Sequence, residues 1–282
     1  MLPSPLATQL RQGLADFLRF SFWSSTPGME HMVDGLLDEA DPLLKGPYVS
    51  LKLPFVRGKH PRFFPDVPLG FTPHAHQERA FERLGRRRKR STLVATGTGS
   101  GKTESFLLPI LDHCLSEAGT PGIKAILIYP MNALATDQAL RIARLIHDNP
   151  KLNGNVRAGL YIGDDRKKVA GKGSLGELQM TDTSVITDRA AMHDNPPDIL
   201  LTNYKMLDYL LLRPKDQRIW QHNTHGTLRY LVVDEIHTFD GAQGTDLACL
   251  VRRLKRRLKA DDGALCCVGT SATLGGPSAA EE

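Results

Sequence analysis

Ser91-Thr-Leu-Val-Ala-Thr-Gly-Thr-Gly-Ser-Gly-Lys-Thr103 is the stretch that decides the fold of this chain. Its first five residues, through Ala95, read as a short buried strand. Glu104-Ser-Phe-Leu-Leu-Pro-Ile-Leu-Asp-His-Cys-Leu115, which follows, reads as a helix. A glycine-rich turn from strand into helix leaves backbone N–H groups free to cradle phosphates at the positive end of the helix. Gly97, Gly99 and Gly101 permit the left-handed conformations and close approach that such a cradle needs. Lys102 is placed for β- and γ-phosphates, and the Thr103 hydroxyl for Mg²⁺.

The strict P-loop pattern has a first glycine where this chain has Thr96. The strand–turn–helix context offsets that departure; the competing reading is a flexible Gly/Thr/Ser turn. Far downstream, Leu228-Arg-Tyr-Leu-Val-Val233 is an apolar run of strand character. It delivers Asp234 and Glu235 to its C-terminal end, where open α/β sheets hold ligands. On this reading Asp234 holds Mg²⁺ and Glu235 orients and deprotonates the attacking water. An isolated Asp-Glu pair would read as a surface turn, but a strand before it and a phosphate loop elsewhere favour the site.

Outward from these two segments the chain resembles the first RecA-like domain of a superfamily 2 helicase of the DEAD/DEAH-box type. Phe71-Thr-Pro-His-Ala-His-Gln77 resembles the Q motif, in which Gln77 would read adenine. Residues 95–103 resemble motif I, Tyr129-Pro-Met-Asn-Ala-Leu-Ala-Thr-Asp-Gln138 motif Ia, and Leu200-Leu-Thr-Asn-Tyr-Lys-Met206 motif Ib. Asp234-Glu-Ile-His237 has the DExH form of motif II, and Ser271-Ala-Thr273 resembles motif III. The order of the six is the family's own. Wording such as Thr96-Gly-Thr-Gly-Ser-Gly-Lys-Thr-Glu-Ser105 and His237-Thr-Phe-Asp-Gly-Ala-Gln-Gly244 is similar to large bacterial helicases of DNA repair and phage defence that carry a DUF1998 region.

The resemblance implies a division of labour. Lys102, Asp234, Glu235 and His237 would serve catalysis, with ATP held by Gln77, Thr98, Gly99, Ser100, Gly101, Lys102 and Thr103. Thr103 and Asp234 would hold Mg²⁺. Nucleic acid would lie along Pro130, Asn132, Gln138, Thr202 and Asn203, and Ser271 and Thr273 would couple nucleotide state to strand grip. Such contacts at helix N-termini read phosphates; Asn132 and Thr202 also suit simple N-caps, and both roles are compatible. DNA is expected before RNA, although motifs that see a phosphate backbone do not themselves separate the two. The family places ATP between two RecA-like domains, the second bearing the motif VI arginine. This chain runs only nine residues past Thr273, so it reads as an N-terminal fragment or a truncated reading frame. Its expected partners are nucleic acid and a second RecA-like domain, downstream or on a separate subunit. The expected function is an ATP-dependent nucleic-acid helicase or translocase. The alternatives are a truncated ATP-binding module that docks on DNA or a partner complex without unwinding, and an RNA helicase.

Bulk properties agree with that frame. The chain has 282 residues, 41% of them apolar, and a net charge of +5, a mild basic excess compatible with nucleic acid. Cys114, Cys249, Cys266 and Cys267 lack metal-site spacing and read as reduced thiols of a cytoplasmic protein. No signal peptide and no apolar run long enough to span a membrane are present, so no membrane partner is expected.

The expected fold class is α/β: a RecA-like domain over residues 71–282 with a mostly parallel sheet flanked by helices. Residues 1–70 form an N-terminal accessory extension, partly helical and partly extended. Strands are expected at 91–95, 124–129, 157–162, 198–202, 228–233 and 264–269, and helices at 76–85, 102–118, 132–148, 204–212 and 244–259. In the extension, Leu6, Leu10, Leu14, Phe17 and Leu18 recur at helical spacing, so 6–22 is expected to form an amphipathic helix, docked by Phe22 and Trp23. Seven prolines within 42–73 suggest an extended strap packed on the core, with Val49–Leu53 as a short strand; a partner-docking arm is the alternative. Residues 163–185, rich in glycine and base, suggest a long loop or hairpin. The Arg86–Arg90 run reads as a solvated turn, with phosphate contact or a linker to a partner as the alternative. Arg252, Arg253, Arg256 and Arg257 read as the solvated face of a helix whose Leu247, Leu250, Val251, Leu254 and Leu258 face the core.

Overall fold

The apolar runs become six strands, and all five pairings between them are parallel. The computed structural model describes residues 3–29, 31–38, 54–60, 63–87, 89–163, 178–260 and 263–272. It divides into two compact units, Met1–Pro54 and Phe55–Glu282.

The first unit carries α1 (Pro3–Ser21) and α2 (Met32–Asp38), joined by a hydrogen-bonded ion pair in which Arg19 Nε donates to Asp34 Oδ1 at 2.7 Å. The expected strand at Val49–Leu53 lies outside the described residues, as does most of the 163–185 segment.

The second unit runs α3 (Ala75–Leu84), β1 (Thr92–Ala95), α4 (Lys102–Ser116), β2 (Ala125–Ile128), α5 (Asn132–His147), β3 (Ala158–Tyr161), α6 (Arg189–Asp194), β4 (Ile199–Thr202) and α7 (Tyr204–Leu212). A 3₁₀ turn (Pro214–Trp220), β5 (Tyr230–Val233), a second 3₁₀ turn (Ile236–Thr238), α8 (Gly241–Arg257) and β6 (Cys266–Ser271) complete it. Across the sheet the order is β1-β6-β5-β2-β4-β3. The chain leaves the β1 edge, crosses to β2, reaches the far edge at β3, and returns strand by strand until β6 lies beside β1.

Both faces are covered, which is why the strands read as continuous apolar runs rather than alternating ones. Ala125, Leu127, Ile199, Leu201, Tyr230 and Val232 point to a core shared with Phe81, Phe106, Ile110, Ala135 and Ile142 of α3, α4 and α5. Ile126, Ile128, Leu200, Leu231 and Val233 point the other way, to Leu207, Leu210, Leu247, Leu250 and Leu254 of α7 and α8. Each Val, Leu, Ile or Phe among them contributes about 1.5–3 kcal/mol on burial.

Residues 55–69 belong to this second unit. Phe64 and Val67 are buried in the first core, and Phe63 and Phe64 meet the Phe81 ring edge-on at 5.3 and 5.2 Å. At the strand N-termini polar pairs close the sheet. Buried Lys124 pairs with Asp198, whose other oxygen accepts the Arg157 N–H at 2.7 Å. Arg86 makes a two-pronged pair with buried Asp112, so the first arginine of the basic run anchors α3 to α4, while Arg87 and Arg90 stay exposed.

Candidate nucleotide site

Parallel strands place every β-to-α turn at one end of the sheet, and the two deciding segments meet there because β6, which pairs with β1, also pairs with β5. The turn after β1 is held by its own side chains and by α3. Thr96 Oγ1 lies 2.6 Å from Ser100 Oγ, so the residue replacing the first glycine ties the loop across its width. Gln77 Nε2 donates to the Gly101 carbonyl at 3.0 Å, and its Oε1 accepts the His74 N–H at 2.8 Å. His76 Nε2 lies 2.9 Å from the Ser100 carbonyl. Gly101 has φ +76° at the start of α4, and a Cβ there would stand 2.4 Å from Gln77 Nε2, so a side chain would strain the backbone and displace the Gln77 amide. Lys102 Nζ donates to the Thr96 and Gly97 carbonyls at 3.0 and 3.3 Å.

At the end of β5, Asp234 is 8% exposed. Burial raises its carboxyl pKa above the usual range, and the Glu235 charge adds to the rise; a hydrogen bond from Thr270 Oγ1 opposes it. Glu235 takes a left-handed backbone (φ +49°), a conformation that costs a non-glycine residue energy and recurs at functional sites. Its N–H donates to Thr270 Oγ1 at 3.1 Å, so one hydroxyl holds both carboxylate residues. Glu235 Oε2 is buried without a hydrogen-bond partner among the described residues; His237 Nδ1 stands 3.3 Å from it and 3.1 Å from Ser271 Oγ. His237 thus bridges the end of β5 to the end of β6. Thr273 lies outside the described residues.

Thr98 to Thr103, Gln77, Asp234 and Glu235 line one cavity of about 540 Å³, a size suited to a nucleotide. Gln138 lines it too, so this residue of the Tyr129–Gln138 segment faces the nucleotide side, one turn along α5 from Leu134. Asn132 and Asn203 meet beside the cavity: Asn203 Nδ2 donates to Asn132 Oδ1 at 2.7 Å, and Asn203 Oδ1 caps α7 through the Met206 N–H at 2.8 Å. Pro130 is half-buried. Thr202 is fully buried, with its hydroxyl donated to the Tyr161 carbonyl at 2.6 Å.

Among the residues at the site that were not singled out from the sequence are His76, Glu104, Arg141 and Thr270. Thr270 is adjacent to Ser271 and ends a strand beside β5, a position that could have drawn notice. Glu104 and His76 adjoin Thr103 and Gln77 in the chain, and Arg141 is brought in by tertiary packing. Among the described residues no helix is long and apolar enough to cross a membrane, and no cluster of three or more His, Cys, Asp or Glu side chains is arranged to hold a metal by itself. All four cysteines are free thiols.

Several known proteins are similar to this chain. The Druantia protein DruE of Escherichia coli is 29% identical over 84% of this chain, which spans 18% of DruE. The ATP-dependent helicase MJ1574 of Methanocaldococcus jannaschii is 31% identical over 74% of this chain, which spans 27% of that protein. Among solved structures, the DUF1998 helicase MrfA bound to DNA and AMPPNP matches with a TM-score of 0.52 and 27% identity, over 73% of this chain and 25% of MrfA. The sequence model for the DEAD/DEAH box helicase family matches residues 74–281, so this chain belongs to that family.

Proposed function

We propose that this chain is the nucleotide-binding motor domain of an ATP-dependent helicase or translocase acting on DNA. The observation that carries the reading is the convergence of Lys102, Thr103, Asp234 and Glu235 on one cavity at the C-terminal end of a parallel sheet. Lys102 would leave the Thr96 and Gly97 carbonyls for the β- and γ-phosphates, and the backbone N–H groups of Gly99 to Lys102 would cradle them. The Thr103 hydroxyl and the buried Asp234 carboxyl form a hard oxygen set that suits Mg²⁺, which when bound neutralises charge on the phosphates. Glu235, with a buried oxygen that no hydrogen bond satisfies, would orient the attacking water and take its proton. His237, between Glu235 and Ser271, would report the nucleotide state to β6.

The nucleic-acid strand would cross the N-termini of α5 and α7, where Asn132 and Asn203 are linked and free helix N–H groups attract phosphate. Thr202 would support this face from beneath. DNA as the strand is favoured by the DNA-bound structure of MrfA. The share of relatives that the chain spans favours a further RecA-like domain, on this polypeptide or another, as its partner.

Equilibrium titration with a fluorescent ATP analogue tests the core of this reading. Lys102→Ala is expected to weaken Mg·ATP binding at least about tenfold, the scale of a lost charge-assisted contact. Equal affinity for both proteins would move the site elsewhere. Parallel titration with single-stranded DNA and RNA across salt concentrations tests the strand, since phosphate contacts give a linear fall of log K with log salt.

A further inference from the structure

The charges around the nucleotide cavity include one cation that the family motifs do not name. Arg141 lies on α5, and with Leu134 and Gln138 it lines the cavity. Spacings of four and three residues put these side chains on one helical face. Arg141 Nη2 is ion-paired with Glu104 Oε1. Glu104 directly follows Thr103, and its other oxygen lies 3.3 Å from where a Cβ on Gly101 would stand, so its carboxylate overhangs the phosphate-binding turn. The arginine side chain keeps 44% of its surface exposed, and the glutamate 17%. Gln138, one turn earlier on the same face, has a buried Oε1 with no hydrogen-bond partner among the described residues.

Resting on the nucleotide site proposed above, we infer that Arg141 is a phosphate ligand supplied in cis by α5, and that Glu104 is the carboxylate it exchanges for the nucleotide. A bare carboxylate beside a phosphate cradle repels the ligand, so in the resting state it is neutralised by Arg141. An incoming polyphosphate carries more negative charge than one carboxylate and offers several oxygens in the geometry a guanidinium fork matches. The half-exposed side chain can turn from Glu104 to the phosphates without leaving the cavity wall, and Gln138 Oε1 is an acceptor for one of its remaining N–H groups. The exchange makes α5 a direct sensor of nucleotide, because the helix that opens at Asn132 beside the strand path also carries the phosphate ligand.

A double-mutant cycle on the full 282-residue chain tests this, with ATP, ADP and adenosine titrated against wild type, Arg141→Gln, Glu104→Gln and the double variant. Arg141→Gln is expected to weaken ATP about tenfold or more and to leave adenosine unchanged. Glu104→Gln, which frees Arg141, is expected to tighten ATP several-fold, and the double variant to recover only part of the Arg141→Gln loss, because it removes the carboxylate's repulsion without restoring the fork. Arg141→Lys, which keeps the charge and loses the fork, is expected to recover part of the loss. If the double variant returns to wild-type affinity, Arg141 serves only to neutralise Glu104 and the exchange is wrong. If Arg141→Gln binds ATP as wild type does while Lys102→Ala does not, the nucleotide site stands and the arginine ligand falls. If Lys102→Ala also binds normally, the site itself is misplaced and the inference goes with it.

Discussion

Thr270 shows how a single side chain sets the geometry of the cavity. Its hydroxyl donates to Asp234 and accepts from the Glu235 N–H, so it fixes the direction of one carboxylate and the strained backbone of the other. Thr270→Val, which keeps the shape and removes the hydroxyl, is expected to weaken Mg·ATP binding about tenfold, the scale of a hydrogen bond to a charged group, while Thr270→Ser restores it. Titrations of both variants check this; equal affinity for Val and Thr would assign the hydroxyl a purely structural role. A second residue-scale effect concerns acid stability. His113 is buried edge-on against Tyr230 at 5.4 Å, and its Nε2 has no partner among the described residues. Burial, reinforced by nearby Lys89 and Arg229, pulls its pKa down to about 3 from an ordinary 6.5. Between those values the unfolded chain binds a proton that the folded chain refuses, so stability falls as pH drops through that window, by up to about 1.4 kcal/mol per pH unit. His113→Phe keeps the ring packing and is expected to flatten the fall between pH 6.5 and 3 in circular-dichroism melts; an unchanged slope would place the acid sensitivity elsewhere. The contrast between such residues marks what a sequence discloses. Lys102, Thr103, Asp234 and Glu235 are legible because a phosphate turn and a strand-end acid pair are local patterns. Thr270, Arg141 and His76 act through neighbours up to 37 positions away in the chain, and no local pattern carries that information.

α5 is the element on which the proposed function turns, because three surfaces of one helix meet three environments. Ala135, Ala139, Ile142, Ala143 and Ile146 are buried against the sheet, Gln138 and Arg141 face the nucleotide cavity, and Asn132 opens the helix beside Asn203. The link between Asn132 and Asn203 separates stability from strand binding. Asn203→Ala removes the α7 cap and should cost about 0.5–2 kcal/mol in thermal or urea unfolding. Asn203→Ser keeps a capping oxygen but no longer reaches Asn132 with an amide, so it is expected to retain most stability and still lose affinity for single-stranded DNA. Equal DNA binding by Asn203→Ser and wild type would take Asn203 out of the strand path. The long elements themselves were expected within a few residues of where they lie, since buried parallel strands are unbroken apolar runs and the helices between them show the 3.6-residue period. Boundaries slipped where tertiary contacts decide. α8 begins at Gly241 rather than 244, although Gly241 and Gly244 have poor helix propensity. α2, α6 and the two 3₁₀ turns, none longer than seven residues, are too short to show a period, and α6 depends on the Asp188 side chain capping the Ala191 N–H at 2.8 Å.

At the scale of the whole molecule, the question is whether this domain has enough charge to complete hydrolysis. Lys102 and Arg141 are the only lysine or arginine among the described residues lining the cavity, and Arg141 is paired with Glu104 rather than with Asp234 or Glu235. Ground-state phosphates can be held by that pair. The charge that develops on a transferring phosphoryl group demands donors aimed at it, and such preorganised stabilisation is usually the largest catalytic contribution. An arginine supplied by a second domain is worth about 10³–10⁵ in rate in other nucleoside triphosphatases. The 282-residue chain alone is therefore expected to bind Mg·ATP, hydrolyse it very slowly, and leave duplex DNA wound. Adding a second RecA-like domain of a close relative, fused or in trans, is expected to raise turnover by orders of magnitude. Glu235→Gln should abolish that gain while leaving ATP affinity near wild type, because in the proposed mechanism the glutamate acts on the water and not on the nucleotide. Phosphate release measured on the pure monomer, with and without single-stranded DNA, decides the matter. Fast DNA-stimulated turnover without any added domain would mean that Arg141, once freed from Glu104, reaches the transferring phosphoryl group itself.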